Sequence, residues 1–331
     1  IRIPGKCKAV QAVGWFIDEY DVAQVSANLT NFRITPIHAF FDEVEKSGIK
    51  RGVRITGSEL VGLIPLNAML DAGRHFLKKQ GRSVGVCDEE LIHIAIKSMG
   101  LDELGPFDPH KKIIEYQLKD TNDERLINLS AEKLAQETAS ESMAPGGGSI
   151  SAYVGTLGVS LGTMVANLSA NKSGWEEKVD IFSSWAEKGQ AIQKELLFLV
   201  DEDTRSFNHI IDAIRMPKDT PNENAIRLDA IEKASKYAAE VPFKVMETAY
   251  KAYELLKAMQ EIGNPASITD AGVGALCCMT AIEGAYMNVR INTKDLKDKP
   301  FAENLNKKSH DLLVRAKKNL ETIVQHVHTS I

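Results

Sequence analysis

The sequence predicts an α+β N-terminal part, an incomplete ferredoxin-like unit, followed by an all-α helical bundle. Three observations carry this expectation. Strand and helix signals alternate through roughly the first 116 residues. From Leu129 onward strand punctuation is absent and long helical patterns follow one another. Between the two, Lys119 to Asn128 is polar and reads as a linker. The expected organisation is residues 1–118, a linker over 119–128 and a helical domain over 129–331.

In the first part, Ala9–Ile17 and Ala23–Leu29 read as strands, with Asp18-Glu19-Tyr20-Asp21 as the hairpin turn. Thr35-Pro36 opens a helix, Thr as N-cap and Pro at the first helical position, with Ile37, Phe40, Phe41 and Val44 as its apolar stripe. A third strand is expected near Arg54–Ser58, and Pro65 opens a second helix running through Gly73. The resulting β-β-α-β order is a ferredoxin-like β-α-β-β-α-β unit without its first strand and helix.

The second part begins with Ser130 as a helix start. Helices are expected over Ala131–Met143, Ile150–Ser169, Glu176–Ala213, Asn222–Met259, Ser267–Asn288 and Asn304–Val327. The weakly polar run from Ile150 to Leu168 is rich in Gly, Ser and Ala and contains Asn167, so a tightly packed helix suits it better than a membrane span. Its Gly155, Gly158 and Gly162 permit close helix contacts, including contacts between subunits.

Composition narrows the function classes. A net charge of −5 without a Lys/Arg block argues against nucleic-acid binding. Cys7, Cys87 and the vicinal Cys277-Cys278 show no C-x-x-C spacing and fit a reducing, cytoplasmic compartment, the vicinal pair as small core residues. No secretory signal pattern opens the chain, which starts Ile1-Arg2-Ile3-Pro4 without Met. His326 and His328, two apart, do not share a helical face, and no metal site is expected from the eight histidines. Gly146-Gly147-Gly148-Ser149 lacks the Lys of a P-loop, which argues against triphosphate binding.

Five segments could carry chemistry. Pro145-Gly146-Gly147-Gly148-Ser149 sits at a helix junction, where three glycines serve either backbone approach to a ligand or a packed turn. In Val200-Asp201-Glu202-Asp203, helical spacing puts Asp203 on one face with Val200 and Phe207. That face is apolar, so Asp203 points inward, where burial raises a carboxyl pKa towards general acid–base use; the alternative is a structural partner. Asp201 and Glu202 are assigned to a solvated face. Asp270 lies in the first turn of a small-residue helix capped by Ser267 or Thr269, where the helix dipole alone would favour it. Asn288 and Asn292 share a face at i, i+4; they could hold a heterocycle edge or tie helices together. Arg215 and Lys218, around Pro217, could bind carboxylates or complement a helix C-terminus.

Taken together these segments resemble the cyclodeaminase/cyclohydrolase family of folate enzymes. The resemblance spans roughly residues 129–331 and rests on Ala144–Ser149, Val200–Asp203, Arg215–Lys218, Asp270 and Gly284–Asn292 in order. The first half resembles the C-terminal subdomain of glutamate formiminotransferase, through Val13–Phe16, Ala23–Leu29, Gly57–Pro65, Gly100–Asp102, Pro106-Phe107 and Ile113–Tyr116. The order of the halves is that of the formiminotransferase-cyclodeaminase family. The resemblance implies conversion of 5-formiminotetrahydrofolate to 5,10-methenyltetrahydrofolate and ammonia. Polyglutamylated tetrahydrofolate is then the carrier, no metal takes part, and Asp203 stands at the family's catalytic Asp position. Pro145, Gly146, Gly147, Gly148, Ser149, Arg215, Lys218, Asp270, Asn288 and Asn292 are the implied folate-binding residues. It also implies formiminoglutamate-derived small molecules as partners, no membrane, and a homo-oligomer: a dimer through the helical domain, or a larger ring. A methenyltetrahydrofolate cyclohydrolase and a non-catalytic folate-binding or assembly module are the alternatives.

The transferase's catalytic His belongs to a subdomain without counterpart here, and none of His38, His75, His93 or His110 matches it. If the chain is complete as given, it has no glutamate formiminotransferase activity. An assay of formiminoglutamate turnover by the 331-residue chain checks this, and robust turnover would overturn it.

Overall fold

The computed structural model describes residues 5–19, 21–118 and 125–331. The chain divides into two compact units, Ile1–Thr121 and Asn122–Ile331. In the first, strands β1 (Val10–Ile17) and β2 (Val22–Leu29) pair antiparallel, Ile17 opposite Val22 and Val10 opposite Leu29. Tyr20 of the expected turn lies outside the described residues. Helices α1 (Ile37–Ile49), α2 (Leu66–Lys79) and α3 (Asp88–Met99) follow, then the single-turn α4 (Pro109–Lys112) and α5 (Ile114–Gln117). The core of this unit is apolar packing of α2 and α3, with Met69, Leu77, Leu91 and Ile113 fully buried. Helix α1 docks on α2 through the Asp42 carboxylate, which accepts from His75 Nε2 at 2.8 Å and Lys79 Nζ at 3.0 Å, and through an edge contact of Phe41 with Phe76.

Two expectations for this unit need correction. Arg54–Ser58 forms no strand. Its last residue bonds the end of α3 instead: Ser58 N–H donates to Gly100 O at 3.0 Å and the Ser58 hydroxyl to Met99 O at 2.6 Å. The ferredoxin-like pattern is therefore only partly present: among the described residues β1 and β2 pair with each other alone, beside an isolated parallel bridge between Ile64 and Ile113. Second, Thr35 does not cap α1. Pro36 occupies the N-cap position, and the Thr35 hydroxyl donates to Lys8 O at 2.6 Å.

The second unit is helical. After a 3₁₀ turn at Leu126–Asn128 come α6 (Ala131–Thr138), α7 (Gly147–Ala170), α8 (Val179–Arg215), α9 (Pro221–Ile262), α10 (Ile268–Thr293) and α11 (Lys299–Ser330). The 3₁₀ turn falls inside the expected linker, yet Leu126 and Ile127 pack on the bundle core and Leu126 N–H donates to Asp201 Oδ1 at 2.7 Å. Residues 119–124 of that stretch lie outside the described residues. Helix starts follow the capping rules: the Ser130 side chain accepts from Lys133 N–H, and Thr220 with Glu223 forms a reciprocal capping box. Expected Ser267 or Thr269 caps are not used: Ser267 holds the N-cap position of α10 without a side-chain bond.

Helices α7 and α10 run antiparallel and touch backbone to backbone. A Cβ on Gly158 would stand 2.7 Å from Gly274 O and 2.8 Å from Cys278 Sγ; a Cβ on Gly274 would stand 2.8 Å from Gly158 O. Gly155 faces Ala281 and Leu196, and Gly162 faces Leu255 and Leu256. These glycines therefore serve contacts within the chain rather than between subunits. Both cysteines of the vicinal pair are free. Gly147–Ala170 and Pro265–Thr293 are long and apolar enough to cross a membrane, and 61% and 50% of their apolar windows are buried within the bundle. Replacing Gly158 by Val should lower stability by about 2 kcal/mol or more, because a rigid branched side chain meets backbone that cannot yield. Urea unfolding of the variant measures it.

Candidate active site

Asp203 stands on α8 where α8 passes the N-terminus of α7. The α7 helix starts inside the triple glycine: Gly146 is its N-cap with extended backbone, and Gly147 and Gly148 are its first residues. Four N–H groups at a helix start lack intrahelical partners and carry a partial positive charge. The Asp203 carboxylate supplies one partner from the neighbouring helix. It accepts from the Ser149 backbone N–H, and Oδ2 accepts from the Ser149 hydroxyl at 3.1 Å. The Thr204 hydroxyl lies 3.3 Å from the same Ser149 oxygen.

The three glycines differ in purpose. A Cβ on Gly148 would lie 2.1 Å from Asp203 Oδ1 and 2.5 Å from its Cγ, so the carboxylate occupies the space a side chain would need. A Cβ on Gly147 would lie 3.5 Å from Asn288 Nδ2. Open space surrounds position 146. Pro145, just before, is buried. On the other side α10 closes in at Gly284, where a Cβ would lie 2.4 Å from the Ser151 hydroxyl; that hydroxyl donates to Gly147 O at 2.6 Å. One turn along α10, Asn288 Nδ2 donates to Gly284 O at 2.9 Å, leaving the amide beside Gly147. Asp203, Ser149, Thr204, Gly147, Gly148 and Asn288 thus form one constellation from three helices.

Burial pushes the Asp203 carboxyl above its ordinary value, opposed by the hydrogen bonds from Ser149. A carboxyl so placed can hold or release a proton closer to neutrality than a solvated one.

The other expected residues separate. Asn292 Nδ2 donates to Ala238 O at 2.7 Å and ties α10 to α9, the structural alternative for that amide. Asp270 lies eighteen residues before Asn288 on α10, about 27 Å along the axis, so it is at the far end of the bundle within this chain. Arg215 is the last residue of α8, about 18 Å from Asp203, and Lys218 is three residues beyond; both are exposed. Asp201 and Glu202 are not a solvated face. Asp201 accepts from Leu126 N–H, and Glu202, 6% exposed, pairs with Arg205 and accepts from the Tyr237 hydroxyl on α9. That bond and burial push the Tyr237 hydroxyl up to about 12. Thr204 and Ser151 complete the site without having stood out in the sequence, because each needs a partner on another helix; Gly284 opens the Gly284–Asn292 block but was given no role of its own. An open cleft of about 520 Å³ between α8 and α9, lined by His209, Asp212, Met216, Lys233, Tyr237 and alanines, lies on the α9 side of α8 and does not include Asp203.

Residues 130–311 match the family model described as formiminotransferase-cyclodeaminase, and residues 2–119 match the formiminotransferase domain. The chain belongs to the formiminotransferase-cyclodeaminase family. It is 36% identical to the formimidoyltransferase-cyclodeaminase of Mus musculus over 95% of its length, and spans 58% of that protein. It is 31% identical to the methenyltetrahydrofolate cyclohydrolase of Methylorubrum extorquens, covering 62% of this chain and 98% of that one. A crystal structure of formiminotetrahydrofolate cyclodeaminase from Thermotoga maritima shares the fold, with a TM-score of 0.52 at 24% identity over 62% of this chain and 97% of that one.

The raised Asp203 pKa has a consequence for stability. A carboxyl whose folded value lies above its unfolded one favours folding below the unfolded value and loses that contribution as pH rises through the folded one. Asp203→Asn should therefore unfold at higher urea than the parent at pH 7, an advantage that shrinks as pH falls through the raised Asp203 value and is gone below the ordinary Asp range. Urea titrations at several pH values read this directly.

Proposed function

We propose that the helical unit is a cyclodeaminase that converts 5-formiminotetrahydrofolate to 5,10-methenyltetrahydrofolate and ammonia. The observation that carries it is the Asp203 carboxyl, largely buried, held on the first turn of α7 and shifted towards neutrality. The chemistry needs one group to move protons twice. The formimino group enters protonated; N10 attacks its carbon, forming the C–N10 bond as the C=N π pair moves onto the formimino nitrogen, and the N10 proton passes to Asp203. The resulting aminal carbon carries N5, N10 and an amino group. Asp203 then protonates that amino group, the C–N bond breaks, and ammonia leaves with the bonding pair. Ser149 holds the carboxyl between these steps.

Around it, Pro145–Ser149 and Asn288 take the pterin, and Arg215 and Lys218 take carboxylates of a polyglutamylated tail. Asp270 and Asn292 are not part of this arrangement within one chain. Glutamate formiminotransferase activity belongs to a longer chain containing the transferase's catalytic His. We assign the protein to the cytoplasm, consistent with four free cysteines, and to a homo-oligomer. Leu157, Met164 and Leu168 on α7 with Val273, Leu276 and Met287 on α10 leave the apolar surface such an assembly would cover; light scattering of the purified chain measures its size.

Supplying 5-formiminotetrahydrofolate and following ammonia and methenyl absorbance tests the activity. Asp203→Asn should lower the rate about 10²–10⁴-fold while the protein stays folded; near-normal turnover refutes the assignment. Hydrolysis of added methenyltetrahydrofolate without ammonia release from the formimino substrate would support a cyclohydrolase instead.

A further inference from the structure

Asp203 begins a stripe. Phe207, Ile210 and Ile214 follow it four, seven and eleven residues along α8, spacings that put all four on one helical face. Below Asp203 this face is covered: Leu196, Leu199 and Val200 are buried. Above it Phe207 is 39% and Ile214 45% exposed. The reason is length. Helix α7 starts at Gly147, level with Asp203, whereas α8 runs on for three more turns with α9 on its other side, where Ala213 is buried. The uncovered stripe is bounded by a carboxylate at one end and by Arg215 and Lys218 at the other, about 18 Å away.

We propose that this face of α8 is the track that binds the aminobenzoyl-glutamate part of the substrate, with its arene on Phe207 and Ile210 and its carboxylates at Arg215 and Lys218. The assignment rests on the folate reading above. Along the substrate, a heterocycle with reacting nitrogens precedes a flat apolar arene, which precedes carboxylates. Along α8, a proton-transferring carboxyl precedes an apolar stripe, which precedes two cations. The reverse orientation would press the substrate's carboxylates against Asp203, like charge against like. The track thus fixes which end of the ligand reaches Asp203, and Phe207 and Ile214 become specificity-determining residues.

The test uses the whole 331-residue chain with Phe207→Ala, Ile214→Ser, a double Arg215→Glu/Lys218→Glu variant, and Phe198→Ala as control. Phe198 is 57% exposed on the same helix but on another face. Two readouts are needed: titration calorimetry with tetrahydrofolate and with tetrahydropteroate, which lacks the glutamate, and kcat and KM for the formimino substrate. Phe207→Ala should raise Kd for both ligands and KM about tenfold, with kcat within about twofold. Ile214→Ser should act in the same direction, and Phe198→Ala should do neither. The charge reversal should weaken tetrahydrofolate about tenfold and leave tetrahydropteroate unchanged. Parental Kd in Phe207→Ala and Ile214→Ser, or an equal loss in Phe198→Ala, overturns the track. If the variants behave as expected in binding but the parent releases no ammonia, the cyclodeaminase reading fails and the track stands. If turnover proceeds and the variants bind and turn over normally, the track fails and the reading stands. Absence of tetrahydrofolate binding by the parent overturns both.

Discussion

The contact between the Asp203 carboxylate and the first turn of α7 organises the upper end of the bundle. It satisfies donors that a helix start would otherwise leave bare, and it removes a carboxylate from water at a place where the α7 dipole is favourable. The first turn of α7 is closely fitted to the carboxylate. Gly148 leaves the space into which the carboxylate fits, and Ser149 supplies both of the bonds that oppose its burial. The geometry is possible only because α8 and α10 flank α7 closely on both sides, and the Gly158–Gly274 crossing sets that closeness lower in the bundle. The packed-turn alternative for this junction is therefore also a seat for the carboxylate, held by three helices.

Much of the helical unit was legible because long helices announce themselves by period and by caps such as Ser130. Asp203 was legible for the same reason, as its spacing from Val200 places it inward. What could not be read was which helix meets which. Asn288 and Asn292 satisfy the same i, i+4 rule, yet Ala238 O on α9 claims one amide and Gly284 O the other. Asp270 sits in a motif-like setting but at the end of a long helix away from Asn288. Glu202 looks solvated until Tyr237, thirty-five residues later, comes alongside. Phe207, placed inward by period, is uncovered because α7 begins too late to reach it. Each miss is tertiary: spacing sets the face, and only the packed neighbour decides what that face meets.

The N-terminal unit shows the complementary case. Arg54–Ser58 has strand-like residues, but a strand needs an edge to pair with, and here its last residue, Ser58, bonds the end of α3. Gly100, in the left-handed region at the C-cap of α3, lets the chain turn there, and its carbonyl accepts from Ser58.

The length mismatch between α7 and the α8–α9 pair also sets a gradient of rigidity. Below Asp203, α8 is packed against both α7 and α9; beyond it, one helix of support is gone, and the start of α9 carries mostly exposed or half-buried residues. Local opening should therefore begin at the Arg215–Pro221 tip and die out towards Glu202 and Tyr237, whose bond clamps the base of the projecting pair. Amide hydrogens along the two arms would exchange progressively more slowly from tip to base, so this end of the molecule can bend towards a ligand while the seat of Asp203 stays fixed.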